Sequence, residues 1–350
     1  MEDRFYAAWG IVMVTIEDIA KEAGVSTTTV SNVIHGRTNK VSANTVDMIN
    51  EIIQARGYVP NLSARAIKTR STKVVALINH LDSRDQEKFM SDPFYMDLTS
   101  AVEKSLRERG YFLMIRAISE SSELLAFLRN WNVEGVFMPG LFESEPFYRT
   151  LRDLDMPVVL TDSYISDLGN MVNIGLQDFE GARLATQHLI ENGHRRIVFV
   201  SPNVKTGGVV EQRLMGYKQA LAANGIPFDP ELAYECEFST TKMIELGTRL
   251  AAREDITAVF ATADLLAAGL MSGLQKAGRM VPRDISVVGF DDINWSRMTM
   301  PMLTTVRQEA VKKGHMAAEC MIRLLEGEKI SVHNKILPVQ LICRDSVRKI

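Results

Sequence analysis

The segment Val25-Ser-Thr-Thr-Thr-Val-Ser-Asn-Val-Ile-His-Gly36 gathers hydroxyls, an amide and an imidazole among apolar residues that recur at helical spacing. On a helix turning about 100° per residue, Thr28, Ser31, Asn32 and His35 fall within an arc of about 100°, with Thr27 beside them. Val30, Val33 and Ile34 point the other way. Side chains of this reach can exchange hydrogen bonds with base edges in a major groove, and a threonine methyl can touch thymine. The competing reading is plainer: Ser and Thr cap and solvate an ordinary surface helix.

Positioning such a face needs a small scaffold, and the flanking sequence supplies one. Ile16, Ile19, Ala20 and Ala23 form one face of a first helix, with Thr15 to cap it and Gly24 to end it. Ser26 caps the second helix and Gly36 closes it. A third starts after Ser42, with Val46, Ile49, Ile52 and Ile53 apolar and Gly57 at its end. Two short helices with a tight Gly-containing link and a supporting third outline a helix-turn-helix. From Thr15 to Lys73 there are eight basic and five acidic residues, a net of +3, while the whole 350-residue chain carries −3. A basic head on an acidic body suits a reader of nucleic acid.

The remaining chemistry is excluded by type and spacing. Cys236, Cys320 and Cys343 lie far apart, with neither disulfide nor zinc spacing. The sequence has no P-loop, no G-x-S-x-G and no metal-spaced His/Glu cluster, so no cofactor or metal is expected, nor an enzyme. No apolar run reaches the roughly 18 residues of a membrane span, and the opening MEDRFYAAWGIVM has no usable apolar signal core, which points to the cytoplasm. Residues 1–12 are expected to be a frayed extension, with translation starting at Met1 or at Met13.

From Lys73 the texture changes to strand–helix alternation: KVVALI, YFLMIR, GVFMPG, PVVLTD, then RRIVFV, ITAVFAT and ISVVGFDD as strands. Helical patterns lie between them at Met96–Arg109, Leu124–Trp131, Gln212–Asn224 and Leu265–Ala277, the last capped by Asp264. This rhythm predicts parallel sheets covered on both faces, in two similar halves, with ligands binding beyond the strand C-termini.

The run TIEDIAKEAGVSTTTVSNVIHG, followed by VSANTVDMINEIIQARGYVPNLSARAIK, resembles the DNA-binding head of the LacI family of bacterial regulators. NGHRRIVFVS, QRLMGYKQAL, GRMVPRDISVVGFDD and PMLTTVRQ resemble that family's effector-binding core. The resemblance implies an all-α helix-turn-helix head (13–60), a hinge segment and linker (61–72), and an α/β core (73–350). The core would hold two doubly wound parallel-sheet subdomains of the periplasmic-binding-protein type, about 73–174 plus 307–335 and 175–306 plus 336–350. Chain crossings are expected near Asn173–Gln177, Thr304–Gln308 and Ile336–Val339.

By the same resemblance, base reading falls to Thr27, Thr28 and Asn32, and phosphate contact to Asn39, Lys40 and Ser42. The DNA-binding set is completed by Thr15, Ser26, Ser31, His35, Asn61, Ala64, Ile67 and Lys68. Ile67 stands where relatives carry a leucine wedge for the minor groove. Phe94 and Phe238 would flank an effector ring, Arg213 would grip it, and Asp162 and Asp291 would accept from its hydroxyls. Where sugar-binding relatives often have Asn-Asp, this chain has Ala263-Asp264, which weakens the case for a simple neutral sugar and leaves room for a phosphorylated or acidic one, or for a degenerate cleft. The implied function is a homodimeric repressor on a near-palindromic operator under a sugar-like effector. A regulator driven by a partner protein, and a stand-alone binding protein, are the alternatives.

Overall fold

The computed structural model describes residues 14–59, 71–80, 92–202 and 208–350. The chain divides into two units, one up to Thr72 and one from Lys73 onward.

The first unit contains α1 (Ile16–Ala23), α2 (Thr27–Ile34) and α3 (Ala43–Arg56). Each helix starts on a hydroxyl. Thr15 Oγ1 accepts the Asp18 N–H at 3.2 Å while Asp18 Oδ2 accepts the Thr15 N–H at 2.9 Å, a reciprocal capping box. Ser26 and Ser42 accept the N–H groups of Thr29 and Thr45 at 3.1 and 3.3 Å. Gly24 and Gly57 end α1 and α3 at φ 65° and 60°, a left-handed exit that costs glycine no Cβ clash. Ile19, Ala20, Ala23, Val30, Val33 and Ile49 form the buried core of this small bundle.

Among the described residues the second unit holds two six-stranded sheets. The first comprises β1 (Val74–Asn79), β2 (Phe112–Ala117), β3 (Gly135–Pro139), β4 (Val158–Thr161), β5 (Val172–Leu176) and β11 (Asn334–Leu337), in the order β11-β5-β4-β3-β1-β2. The second comprises β6 (Ile197–Ser201), β7 (Ala233–Glu235), β8 (Ala258–Ala261), β9 (Ser286–Asp291), β10 (Thr304–Arg307) and β12 (Gln340–Ile342), in the order β12-β10-β9-β8-β6-β7. The two orders are the same pattern repeated. Most inner strands are buried along their whole length, which is why they read as continuous apolar runs.

The helices cover these faces. In the first half α4 (Pro93–Glu108) packs against α11 (Ala310–Leu325), while α5 (Ser121–Asn130) and α6 (Pro146–Arg152) lie on the other face. In the second half α7 (Asp178–Glu191) pairs with α8 (Val209–Ala223), and α9 (Thr240–Ala251) with α10 (Asp264–Lys276). The α4–α11 contact is close because Gly314 has no side chain: a Cβ there would stand 2.5 Å from the Leu98 carbonyl oxygen and 2.8 Å from Ala101 Cβ.

The chain passes between the halves after Leu176, between Arg307 and Ala310, and between Leu337 and Gln340. Several details differ from the sequence expectation: Gly175 and Leu176 belong to β5 of the first sheet and Arg307 to β10 of the second, across the expected boundaries at 174/175 and 306/307. Ile336 and Leu337 still pair with Gly175 and Leu176, so the first sheet keeps residues that the expected boundary at 335/336 gave to the second. In addition, β12 runs antiparallel to β10, so the second sheet is mixed at that edge.

Candidate functional site

Two places collect functional side chains, one in each unit. In the head, α2 buries Val30 and Val33 and turns its polar side outward: Thr27, Thr28 and His35 are exposed, Ser31 and Asn32 half-buried. His35 Nδ1 lies 2.6 Å from the Ser31 carbonyl oxygen, so a proton on Nδ1 bonds within the helix and Nε2 is the outward nitrogen. Thr15, Ser26 and Ser42 are exposed caps, their oxygens already engaged at helix starts. Asn39 and Lys40 are exposed on the link before α3. Asn61, Ala64, Ile67 and Lys68 lie outside the described residues.

In the core, polar residues gather at the C-terminal ends of the strands. Asp162 follows β4 at φ 52°, Asp291 ends β9 at φ 122°, and Asp292 follows at φ 57°. Such backbone conformations in non-glycine residues cost roughly 1–3 kcal/mol each and cluster at functional sites. Lys313, on α11 and wholly buried, donates to Asp162 Oδ1 at 2.5 Å and to Gln308 Oε1 at 3.1 Å. Gln308 in turn donates through Nε2 to Asp291 Oδ1 at 2.6 Å. This chain of bonds runs from the end of the first sheet, through the second crossing, to the end of the second sheet.

Arg213, on α8, forms the other centre. Its Nε and Nη2 lie 2.8 and 2.7 Å from Asp178 Oδ1, its Nη1 donates to the Thr262 carbonyl at 2.5 Å, and the guanidinium stacks 3.6 Å over the Phe290 ring. Tyr164 donates its hydroxyl to Asp178 Oδ2 at 2.7 Å. Burial pushes the Asp178 carboxyl up, against the pull of Arg213. Burial likewise raises Asp291, to about 7; Arg213 opposes the rise and Asp92 adds to it. Asp92, which caps α4 by accepting the Phe94 N–H at 2.9 Å, is also raised by desolvation. By contrast Asp292 sits below its usual range: burial would raise it, but bonds from Arg344 and Arg307 outweigh that.

Asp162 and Asp291 thus share one chain of bonds through Lys313 and Gln308, while Arg213 pairs separately with Asp178. Phe94 joins them as a buried core residue, with Lys313 Nζ 5.2 Å from its ring centre. Phe238 instead packs half-buried against the cluster of β8, α9 and α10. The expected capping role of Asp264 is corrected. It is the first residue of α10, and its oxygens accept from the Ile293 N–H at 3.0 Å and the Thr305 hydroxyl at 2.5 Å, tying α10 to β9 and β10. Asp92, Tyr164, Asp178, Gln308 and Lys313 were not singled out from sequence. Among the described residues no group of His, Cys, Asp and Glu has metal-holding geometry, and no helix is long and apolar enough to cross a membrane.

Residues 15–61 match the family model for bacterial regulatory proteins of the lacI family, and residues 186–347 match the periplasmic binding protein-like domain. The HTH-type transcriptional regulator CelR of Thermobifida fusca is 33% identical over 95% of this chain and 98% of its own. The chain belongs to the LacI family of bacterial transcriptional regulators. Other LacI-family relatives include MalR of Clostridium butyricum, 32% identical over 95% of this chain and 98% of that protein. The repressor PurR of Mannheimia succiniciproducens is 30% identical over 97% and 100%. A solved complex of CelR with cellobiose superposes with a TM-score of 0.70 at 30% identity, covering 95% of this chain and 99% of that one. The lac repressor dimer bound to operator and an anti-inducer gives 0.81 at 23% identity over 96% and 100%, a likeness of fold. As a LacI-family member, the protein is a DNA-binding transcriptional regulator with a ligand-binding core.

Proposed function

We propose that this regulator binds a near-palindromic operator as a homodimer in the cytoplasm, reading bases with Thr27, Thr28 and Asn32, and that a sugar-like effector in the core cleft controls the binding. The observation that carries the reading is the α2 face: residues able to bond base edges point outward from a helix whose apolar side is locked into the head. Asn39, Lys40 and the helix starts at Thr15, Ser26 and Ser42 would hold phosphates, which set register without sequence preference. The cleft groups bind and orient; Asp162, Arg213 and Asp291 could be cast as acid, clamp and base, but each is held by another side chain, Lys313, Asp178 and Gln308 in turn, which suits recognition better than turnover.

Dimerisation finds support at the edge of the first sheet. Strand β2 is an edge strand with Phe112 51% and Ile115 41% exposed, and Trp131, 56% exposed, lines a surface cavity together with Ile115. An apolar edge of this kind is a liability unless another chain covers it. The sugar assignment draws on the cellobiose bound by CelR. The test is binding to a palindromic duplex and a scrambled one across a salt series. Tighter binding to the palindrome, with a slope against salt that reports phosphate contacts, supports the reading. Equal affinity for both duplexes would remove it.

A further inference from the structure

We propose that Lys335 and Cys320 are a modification site: under peroxide they join in a reversible nitrogen–sulfur link that ties the last strand of the first sheet to the helix covering it.

Cys320 lies on the buried stripe of α11 with Ala317 and Met321, and Lys335 Nζ donates to its sulfur at 3.2 Å. Lys335 belongs to β11, where it pairs with Ile174. Alternation along the strand puts it on the side of Leu337, which packs in the same cluster as Cys320. A lysine drawn toward the interior is ordinarily matched by a carboxylate. Lys335 is half-buried, yet among the described residues its partner is a thiol, a weak acceptor, and no carboxylate pairs with it. As a hydrogen bond the contact contributes little. What it does is hold a primary amine against sulfur.

Peroxide oxidises the thiol by two electrons: an S–O bond forms, the O–O bond breaks and water leaves, giving the sulfenic acid. At 1% exposure Cys320 is shut off from the thiols of other molecules, while the half-buried lysine beside it opens a way for so small an oxidant. Nor can a disulfide resolve the sulfenic acid, because Cys236 follows β7 and Cys343 follows β12, both in the second sheet. The nucleophile in reach is Lys335. Its ammonium gives one proton to solvent, and the freed lone pair attacks sulfur. The S–N bond forms, the S–O bond breaks, and the departing hydroxide takes a proton from nitrogen to leave as water. The product is a sulfenamide, the condensation known between sulfenic acids and nitrogen. Two molecules of a thiol return it to amine and cysteine and leave as their own disulfide. The link fixes an edge strand, paired on one side only, just before the chain leaves the first half after Leu337.

The experiment treats the full chain with hydrogen peroxide, digests it with trypsin and reads the peptides by mass spectrometry, in a Cys343→Ser background that removes the exposed thiol. The expected product joins the Cys320 peptide to one left uncut at Lys335. It is lighter than its two parts together by two hydrogens, and dithiothreitol parts it. The same joined pair carrying one added oxygen is the link after a second peroxide and supports the site equally. Lys335→Arg in that background keeps a cation but not the amine; there no joined peptide should form, and Cys320 should go on to its sulfinic acid. Oxidation should also raise the melting temperature of the Cys343→Ser protein by about 5 °C relative to what it does to the Lys335→Arg protein, since a short closed loop constrains the unfolded chain. Cys320 recovered as a free thiol, or oxidised with Lys335 still cut, overturns the proposal. So does a melting shift that is the same in both proteins.

Discussion

Asn32 lies half-buried on the outer side of α2, where an amide can both give and accept a hydrogen bond at a base edge. Asn32→Ala is expected to weaken specific duplex binding by about 1–3 kcal/mol while leaving affinity for scrambled DNA nearly unchanged, since phosphate contacts remain. Equal weakening on both duplexes, measured by fluorescence anisotropy, would assign Asn32 to the backbone instead. Asp291 is the second telling side chain, held up at about 7 by burial. Below about pH 4 both folded and unfolded forms carry its proton; between there and about 7 only the folded form does. Its contribution to stability is therefore full in acid and is lost as pH rises toward 7. Asp291→Asn keeps an oxygen for Gln308 and removes the titration. Its melting temperature relative to wild type should rise between about pH 5 and pH 8, and a difference independent of pH would contradict the assignment.

Among the elements, those built on a local signal were legible. The three hydroxyl caps of the head and the strands β1, β3, β4, β6, β8 and β9 follow from cap residues and apolar runs alone. Others hid for physical reasons. Helix α4 starts at Pro93, earlier than the expected Met96, because Asp92 and a proline in the first turn do the capping. The run LPVQLIC reads as one strand, yet Pro338 offers no N–H to a ladder and falls between β11 and β12. Strand β7 has only three residues, none fully buried, and so no pattern. In the core, Asp162, Arg213 and Asp291 were singled out through resemblance, but their bonding partners were not. Lys313 and Asp162 are 151 positions apart, and nothing local joins them. One trace existed: Lys313 precedes Ala317, Cys320 and Met321 on the buried stripe of α11, a lysine where that stripe should be apolar. The α4–α11 contact gives a prediction at this scale. Gly314→Ala forces a methyl toward the Leu98 carbonyl and should cost about 1–3 kcal/mol, read from urea denaturation. Unchanged stability would mean that the helices can part there freely.

For the whole molecule, the proposed control is a coupling between two ligands, and such a coupling is reciprocal. If an effector lowers operator affinity by some factor, operator must lower effector affinity by the same factor. Titrating effector into free protein and into its operator complex checks this, and unequal factors would rule out a simple two-ligand equilibrium. Another consequence concerns synthesis. The flanking strands of the two sheets, β11 and β12, come from residues 334–342, although the sheets they close begin at Val74 and Ile197. A ribosome that has not yet delivered those residues holds a nascent chain with an unsatisfied ladder on each half. A frameshift or premature stop upstream of Asn334 therefore yields neither a smaller receptor nor one sound lobe, but a product inclined to recruit strands from its neighbours.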